Sequence, residues 1–174
     1  MSEFEQAVQL HVKPTRTPLI AFTVYGEPVP QGRPKFAVVG GHARAYDPKK
    51  SRDYKSLIAQ VAQDHVPAEL LTGPLELVVK VYRPVPKSFS KKKQVAALAG
   101  ELRPTTRPDL RNYIGGVEDA LTKVIWQDDS QIVSYGDTGK WYGDPPRVEV
   151  EVYECHLLDR LAVAEANQNG RDTA

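Results

Sequence analysis

The sequence predicts an α+β domain with a mixed β-sheet packed by helices, and three observations carry that expectation. The first is residues 75–82, LELVVKVY, a nearly continuous apolar run rich in β-branched residues, as expected of a strand at the centre of a sheet. The second is residues 109–124. At about 100° per residue, Leu110, Tyr113, Ile114, Val117, Ala120, Leu121 and Val124 fall in one narrow sector, the buried face of an amphipathic helix. The third is the order of segments: strand, hairpin, helix, strand, helix, helix, strand, strand.

Residues 1–18 show no clear period and are expected to form a loosely ordered arm. Residues 19–25, LIAFTVY, are short, β-branched and aromatic, and predict a first strand that stops at Gly26. PVPQGRPKF then reads as a loop punctuated by proline and glycine, with Arg33 and Lys35 carried to the surface. Residues 36–39 and 43–46 flank the Gly40-Gly41 pair, a hairpin signal. Asp47 before Pro48 predicts an N-cap with proline in the first turn, and the helix is expected to run to about His65 on Tyr54, Leu57, Ile58, Val61 and Ala62. A connection over residues 67–74 leads into the central strand. Ser90 caps a short basic helix that ends at Gly100. The two prolines of residues 103–108 give an extended lead into the long amphipathic helix. Beyond it, residues 130–135 read as a strand, GDTGKWYGDPP as a long polar loop and residues 147–153 as an alternating strand. Residues 19–155 make up the domain, and 156–174 a C-terminal helix and tail.

A length of 174 residues suits one domain with a substantial core. Hydrophobic content of 41% and charged content of 26% are ordinary globular values, and no apolar run is long enough for a membrane span. The opening residues do not resemble a secretory signal. The single cysteine, Cys155, excludes an internal disulfide framework and a thiolate zinc cluster, so a cytoplasmic protein without a membrane partner is expected.

The net charge of +1 conceals an uneven distribution. Arg33, Lys35, Arg44, Lys49, Lys50, Arg52 and Lys55 crowd one stretch, and Arg83, Lys87, Lys91, Lys92, Lys93, Arg103, Arg107 and Arg111 another. Between and beyond them lie the carboxylates of the long helix and its sequel: Asp109, Glu118, Asp128 and Asp129. Basic stretches around an acidic centre fit a phosphate polyanion held against a carboxylate-bound cation, although any one of these lysines taken alone is better explained as a solvated surface residue. Magnesium takes oxygen ligands, so Asp109 and the Asp128-Asp129 pair are candidate ligands if the fold closes the two ends of the helix together. Asp109 also reads as a helix N-cap, and Asp128-Asp129 as a turn. The four histidines lack ligand spacing, and no serine-nucleophile or phosphate-loop pattern occurs. Of the two tryptophans, Trp141 is the better base-stacking candidate and Trp126 the more core-like.

Four segments together resemble the RusA family of Holliday junction resolvases, from residue 22 to residue 153. GEPVPQGRPKF resembles the family's basic loop, YDPKKSRDYKSLI its first basic helix and VPKSFSKKKQVAAL its second. RPDLRNYIGGVEDALTKVIWQDDSQIV resembles its catalytic segment, and Pro-Asp, Asn, Asp-Ala-Leu and Asp-Asp-Ser-Gln at these spacings are the specific part. The resemblance implies a RusA-like single domain acting as a homodimer. It also implies a magnesium-dependent endonuclease, with manganese as a substitute, that nicks four-way DNA junctions in recombination, repair or phage DNA processing. By the same carry-over, Asp109 and Asp129 are metal ligands; Asp128, Glu118 and Asn112 are expected as supporting members of the site, Glu118 from its place on the helix and not from the family pattern. Arg33, Lys35, Arg44, Lys49, Lys50, Lys91, Lys92, Arg107 and Arg111 are expected near DNA.

Two positions depart from the family pattern Asp-x-Asp-Asn-x-x-Lys. Arg111 stands where the second aspartate belongs, and Gly115 where the lysine belongs. Glu118 lies on the same helical face as Arg111, about 10 Å along the axis. Either Glu118 supplies the displaced carboxylate and Arg111 the displaced charge, or the two form an ordinary surface ion pair. The departures also leave open a branched-DNA-binding protein with impaired cleavage, or a structural or packaging factor that holds DNA.

Overall fold

The computed structural model describes residues 16–155. Residues 1–15 of the expected arm and the helix and tail expected over 156–174 lie outside the described residues. In chain order the elements are β1 (Ile20–Tyr25), β2 (Lys35–Val39), β3 (His42–Tyr46), α1 (Lys49–Ala62) with a 3-10 turn (Gln63–His65), β4 (Leu75–Arg83), α2 (Lys91–Leu98) and α3 (Leu110–Leu121). A second 3-10 turn (Asp129–Gln131), β5 (Ile132–Tyr135), β6 (Gly139–Tyr142) and β7 (Arg147–Glu154) complete the order.

The apolar run around residues 75–82 takes the central place it predicts. β4 pairs antiparallel with β7, which pairs antiparallel with β1; on its other edge β4 pairs parallel with β5 and β6. The sheet is therefore mixed. β5 and β6 follow one another along the same edge, from Leu75 opposite Ile132 to Arg83 opposite Tyr142. The expected polar loop over residues 136–146 is corrected here, because β6 occupies part of it. Its composition hides the strand, and partners from elsewhere make it: Trp141 stacks on Tyr82 at 5.7 Å and lies under the Arg103 guanidinium at 3.9 Å. Trp141 is thus already sandwiched between two side chains. Between β5 and β6 the ladder is carried by Gly136 N–H donating to Leu77 O at 3.0 Å and by the Thr138 hydroxyl accepting from Val79 N–H at 3.0 Å.

One face of the sheet builds the core. Period-2 alternation turns Ile20, Phe22 and Val24 of β1, Val148, Val150 and Val152 of β7, and Leu75, Leu77, Val79 and Val81 of β4 into it. α1 and α3 cover this face with Tyr54, Ile58 and Ala62 and with Tyr113, Val117, Ala120 and Leu121. Leu110, Ile114 and Val124 pack at its margin, so the sector read from the helical wheel is the buried face. Gly116, placed by the wheel on the polar side, is buried. There the backbone of α3 lies 3.8 Å from Gln31, measured from an ideal Cβ on the glycine.

The caps divide. Ser90 caps α2 as expected, its hydroxyl accepting from Lys93 N–H at 3.4 Å. Asp47 does not cap α1: Pro48 holds the cap position, and the Asp47 carboxylate pairs instead with Lys55, farther along the helix. The Gly40-Gly41 turn has φ of 59° and 80°, the left-handed pair that a two-residue hairpin loop demands. α3 stops at Leu121 because Thr122 becomes extended and Lys123 adopts φ 67°. The Thr122 hydroxyl donates to Glu118 O at 2.9 Å and accepts from the Trp126 indole N–H at 3.2 Å, so the wholly buried Trp126 anchors the turn that leads out of the helix.

Candidate active site

Two adjoining clefts lie along the polar side of α3. The larger, about 680 Å³, is lined by Gln31, Arg111, Asn112, Gly115, Glu118 and Tyr135, with Leu110 and Ile114 at its floor. The smaller, about 350 Å³, is lined by Gln31, Gly32, Arg33, Pro34, Asp109 and Asn112. Gln31 and Asn112 belong to both, so the clefts form one trough from the N-terminus of α3 to its last turn.

The loop before β2 forms one wall because it is tied down at successive residues. Gln31 N–H donates to Asn112 O at 2.8 Å, its side-chain amide donates to Asp119 Oδ2 at 2.5 Å, and Gly32 N–H donates to the hydroxyl of the buried Ser51 at 3.1 Å. Lys55 completes the clamp, lying 3.1 Å from Asp119 Oδ2 while it pairs with Asp47. These two carboxylates raise the Lys55 pKa against the opposing effect of its burial. Gly115 has a role in this packing. A Cβ there would stand 2.6 Å from Gln31 Oε1, so a side chain at 115 would compete with the glutamine for the same space.

The extended segment that leads into α3 is held from the sheet. Arg83 donates to Thr106 Oγ1 at 3.2 Å and to Arg107 O at 3.3 Å, and the Lys140 ammonium donates to Thr106 O at 3.1 Å and Pro108 O at 2.9 Å. Asp109 follows at the N-cap position, and its side chain makes no capping hydrogen bond. Its carboxylate is exposed and lines the smaller cleft.

Beyond α3 the Asp-Asp-Ser-Gln sequence, which lines neither cleft, divides its work. Asp128 accepts from Ser130 N–H at 3.0 Å, and the Gln131 side chain accepts from Gln127 and Asp128 N–H at 2.9 and 3.0 Å while donating to Leu71 O at 2.9 Å. This is a capping box, and the hydrogen bonds to Ser130 hold the Asp128 carboxyl below the ordinary range. Asp128 and Gln131 build the turn. Asp129 is exposed, and among the described residues its carboxylate has no hydrogen-bond or ion-pair partner.

Tyr135, which the sequence did not single out, joins the two sides. Its hydroxyl donates to Glu118 Oε1 at 2.5 Å. Burial pushes its pKa up to about 12, with the Glu118 hydrogen bond, the Glu118 charge and the Asp129 charge adding and Arg111 opposing. Asp129, Glu118 and Arg111 thus all lie within electrostatic reach of one phenol. Arg111 and Glu118 form no ion pair with each other among the described residues; Glu118 takes its hydrogen bond from Tyr135 instead. A raised phenol pKa favours the neutral form in the folded state, so its stabilisation is complete below the ordinary phenol pKa of about 10 and is lost as pH climbs through about 12. Replacing Glu118 with glutamine is expected to bring Tyr135 ionisation back toward the ordinary range, read from tyrosinate absorbance. An unchanged titration would mean that Glu118 does not act on this phenol.

The structure therefore gathers Arg111, Asn112 and Glu118 in one cleft, with Asp129 near its phenol, and places Asp109 and Arg33 in the other. Asp109 and Glu118 stand nine residues apart, about 13 Å along the helix axis. Lys35, Lys49 and Lys50 are exposed at the roots of β2 and α1, Arg107 is exposed just ahead of α3, and Lys91 and Lys92 occupy the first turn of α2, lining neither cleft. Arg44 sits in β3 opposite Ala37, but its side chain lies outside the described residues. No group of three or more His, Cys, Asp or Glu side chains among the described residues is arranged to hold a metal by itself. Nor is any helix among the described residues long and apolar enough to cross a membrane.

Comparison with known proteins identifies the family. An uncharacterized protein of Bacillus subtilis (strain 168), YqaN, is 51% identical over 137 residues, covering 78% of this chain and 96% of its own length. The profile described as endodeoxyribonuclease RusA matches residues 25–153, which takes in the sheet apart from most of β1, the loop that carries Gln31 and Arg33, and the whole of α3. The chain belongs to the RusA endodeoxyribonuclease family.

Proposed function

We propose that the chain is a divalent-metal-dependent endodeoxyribonuclease that recognises and nicks four-way DNA junctions as a homodimer. The observation that carries this reading is the larger cleft: Tyr135 holds the Glu118 carboxylate by a hydrogen bond beside Arg111 and Asn112, the charge of Asp129 is felt at the same phenol, and Arg33 lines the adjoining cleft, with Lys35, Lys49 and Lys50 exposed on the elements that follow it. Asp129 and Glu118 are the residues that would hold magnesium or manganese, and Asp109, about 13 Å along the helix from Glu118, would not share that ion but would act at the other end of α3. When bound, such an ion activates water and offsets charge on a phosphodiester. Arg111 supplies a fixed positive charge for a phosphate in the larger cleft, and Arg33 does so in the smaller. Tyr135 holds the Glu118 carboxylate in one orientation, and the Asn112 amide offers both donor and acceptor to a bound strand. A two-fold dimer would present two such troughs to a substrate that itself has two-fold symmetry.

A second reading, a branched-DNA-binding protein with impaired cleavage, draws on Arg111 and Gly115, which stand where the family pattern carries a carboxylate and a lysine. Both readings require preference for branched DNA. In chelator, an unlabelled four-way junction is expected to displace labelled junction at far lower concentration than linear duplex of the same length. Affinity is expected to fall linearly with log salt, and replacing Lys49 and Lys50 by glutamine to reduce that slope by about 2, about one for each phosphate no longer neutralised. Equal competition by linear duplex would overturn the branched-DNA reading in favour of a general DNA-holding role.

A further inference from the structure

We propose that the β2–β3 ribbon is a branch-point probe that stacks Phe36 on a base exposed where the arms of a DNA junction meet; this rests on the branched-DNA reading above. The ribbon forms a two-stranded sheet of its own, separate from the main sheet. Phe36 is 75% exposed and Tyr46 46% exposed, an unusual outlay of aromatic surface on a hairpin. Pairing places Phe36 opposite Ala45 and Lys35 opposite Tyr46, so the aromatic ring stands on one face and the ammonium on the other.

Both roots of the ribbon are fixed to the wall of the trough. The entering strand follows Gln31 and Gly32, bonded to Asn112, Asp119 and Ser51. The leaving strand ends at Tyr46, and Asp47 beside it is paired with Lys55, which also reaches Asp119. A ring carried on this ribbon is thus held at a set place relative to Arg111 and Asn112. That is what a reader of substrate shape requires.

Charge selects the occupant. Arg33, Lys35, Lys49 and Lys50 surround the base of the ribbon, while the one aspartate at its root is neutralised by Lys55. A second copy of this ribbon would bring like charges together, whereas nucleic acid supplies phosphates for the cations and a base face for the ring. Fully paired duplex offers no free base face. A branch point does.

The test uses the full chain and a four-way junction with 2-aminopurine at the branch point, in chelator so that no cleavage occurs. Wild type is expected to change the fluorescence of the 2-aminopurine. Phe36→Ala is expected to abolish that change and weaken junction binding by about 5- to 150-fold, the range that loss of one base–aromatic stack implies. Its affinity for linear duplex is expected to stay unchanged, which shows that the fold is intact, and Phe36→Trp is expected to restore the signal. Unaltered fluorescence and junction affinity in Phe36→Ala would overturn the probe while leaving the branched-DNA reading in place. A wild-type protein without junction preference would overturn both. Sedimentation showing that Phe36→Ala turns a dimer into a monomer would assign the ribbon to a subunit interface and overturn the probe.

Discussion

Asp129→Asn is expected to lower cleavage of a four-way junction by more than about a hundredfold, while thermal unfolding and junction affinity stay close to wild type. Even partners that only orient a metal ligand are worth about 10–100-fold, and Asp129 would be a ligand itself. The substitution keeps size and shape and removes only charge. It should not disturb the turn, because Asp128 and Gln131 carry the hydrogen bonds that hold it. Asp128→Ala has the opposite profile: it removes the acceptor for Ser130 N–H, so its effect falls first on the order of the turn and only through that on activity. Single-turnover cleavage and thermal melts of the two variants separate these roles. Near-normal cleavage by Asp129→Asn would remove this residue from the site.

Trp126→Ala is expected to cost about 3–5 kcal/mol of stability, the usual cost of emptying a buried aromatic site. For a domain of this size that is a fall in Tm of roughly 6–20 °C. The indole is wholly buried and donates to the Thr122 hydroxyl, which itself donates to Glu118 O. The Trp126 backbone carbonyl accepts from Lys123 N–H at 2.7 Å, closing the turn that ends α3. Residues 127–129 follow directly, so the cavity left at 126 adjoins the segment that carries Asp128 and Asp129. Trp126→Phe keeps most of the buried area and loses the hydrogen bond, and it is expected to cost distinctly less. Denaturant titration of both variants checks the order, and equal losses would place the main contribution in the hydrogen bond and not in packing.

Much of this architecture was legible in the sequence, where each segment declared itself by its own period. The uniform apolar character of β4, the alternation of β7 and the single buried sector of α3 read correctly because one physical cause, burial of one face, dominates each. β6 was illegible for the opposite reason. Gly139 to Tyr142 become a strand through Trp141 packing between Tyr82 and Arg103, partners that no local pattern records. Asp47 read as a cap because of its neighbour Pro48, and the structure gives it to Lys55, eight residues on. Among the candidate site residues, Asp109 and the Asp128-Asp129 pair could be named from residue type, and Asn112 and Arg111 through the family resemblance. Tyr135 could not, since its meaning comes from Glu118, seventeen residues earlier on a different element. Likewise Gly115 read as a missing group, whereas Gln31 approaches that position from a loop far away in the chain.

Magnesium is usually held by one or two carboxylates together with water and substrate phosphate, so the proposed ion would be completed by the DNA itself. Incubating the full-length chain with a labelled four-way junction, with magnesium or with chelator, tests this most directly. The predicted result is paired nicks in opposing strands that appear only with magnesium and are absent from linear duplex of the same sequence. Tight junction binding with intact strands in magnesium and in manganese would contradict it, and would identify the trough as a binding site alone.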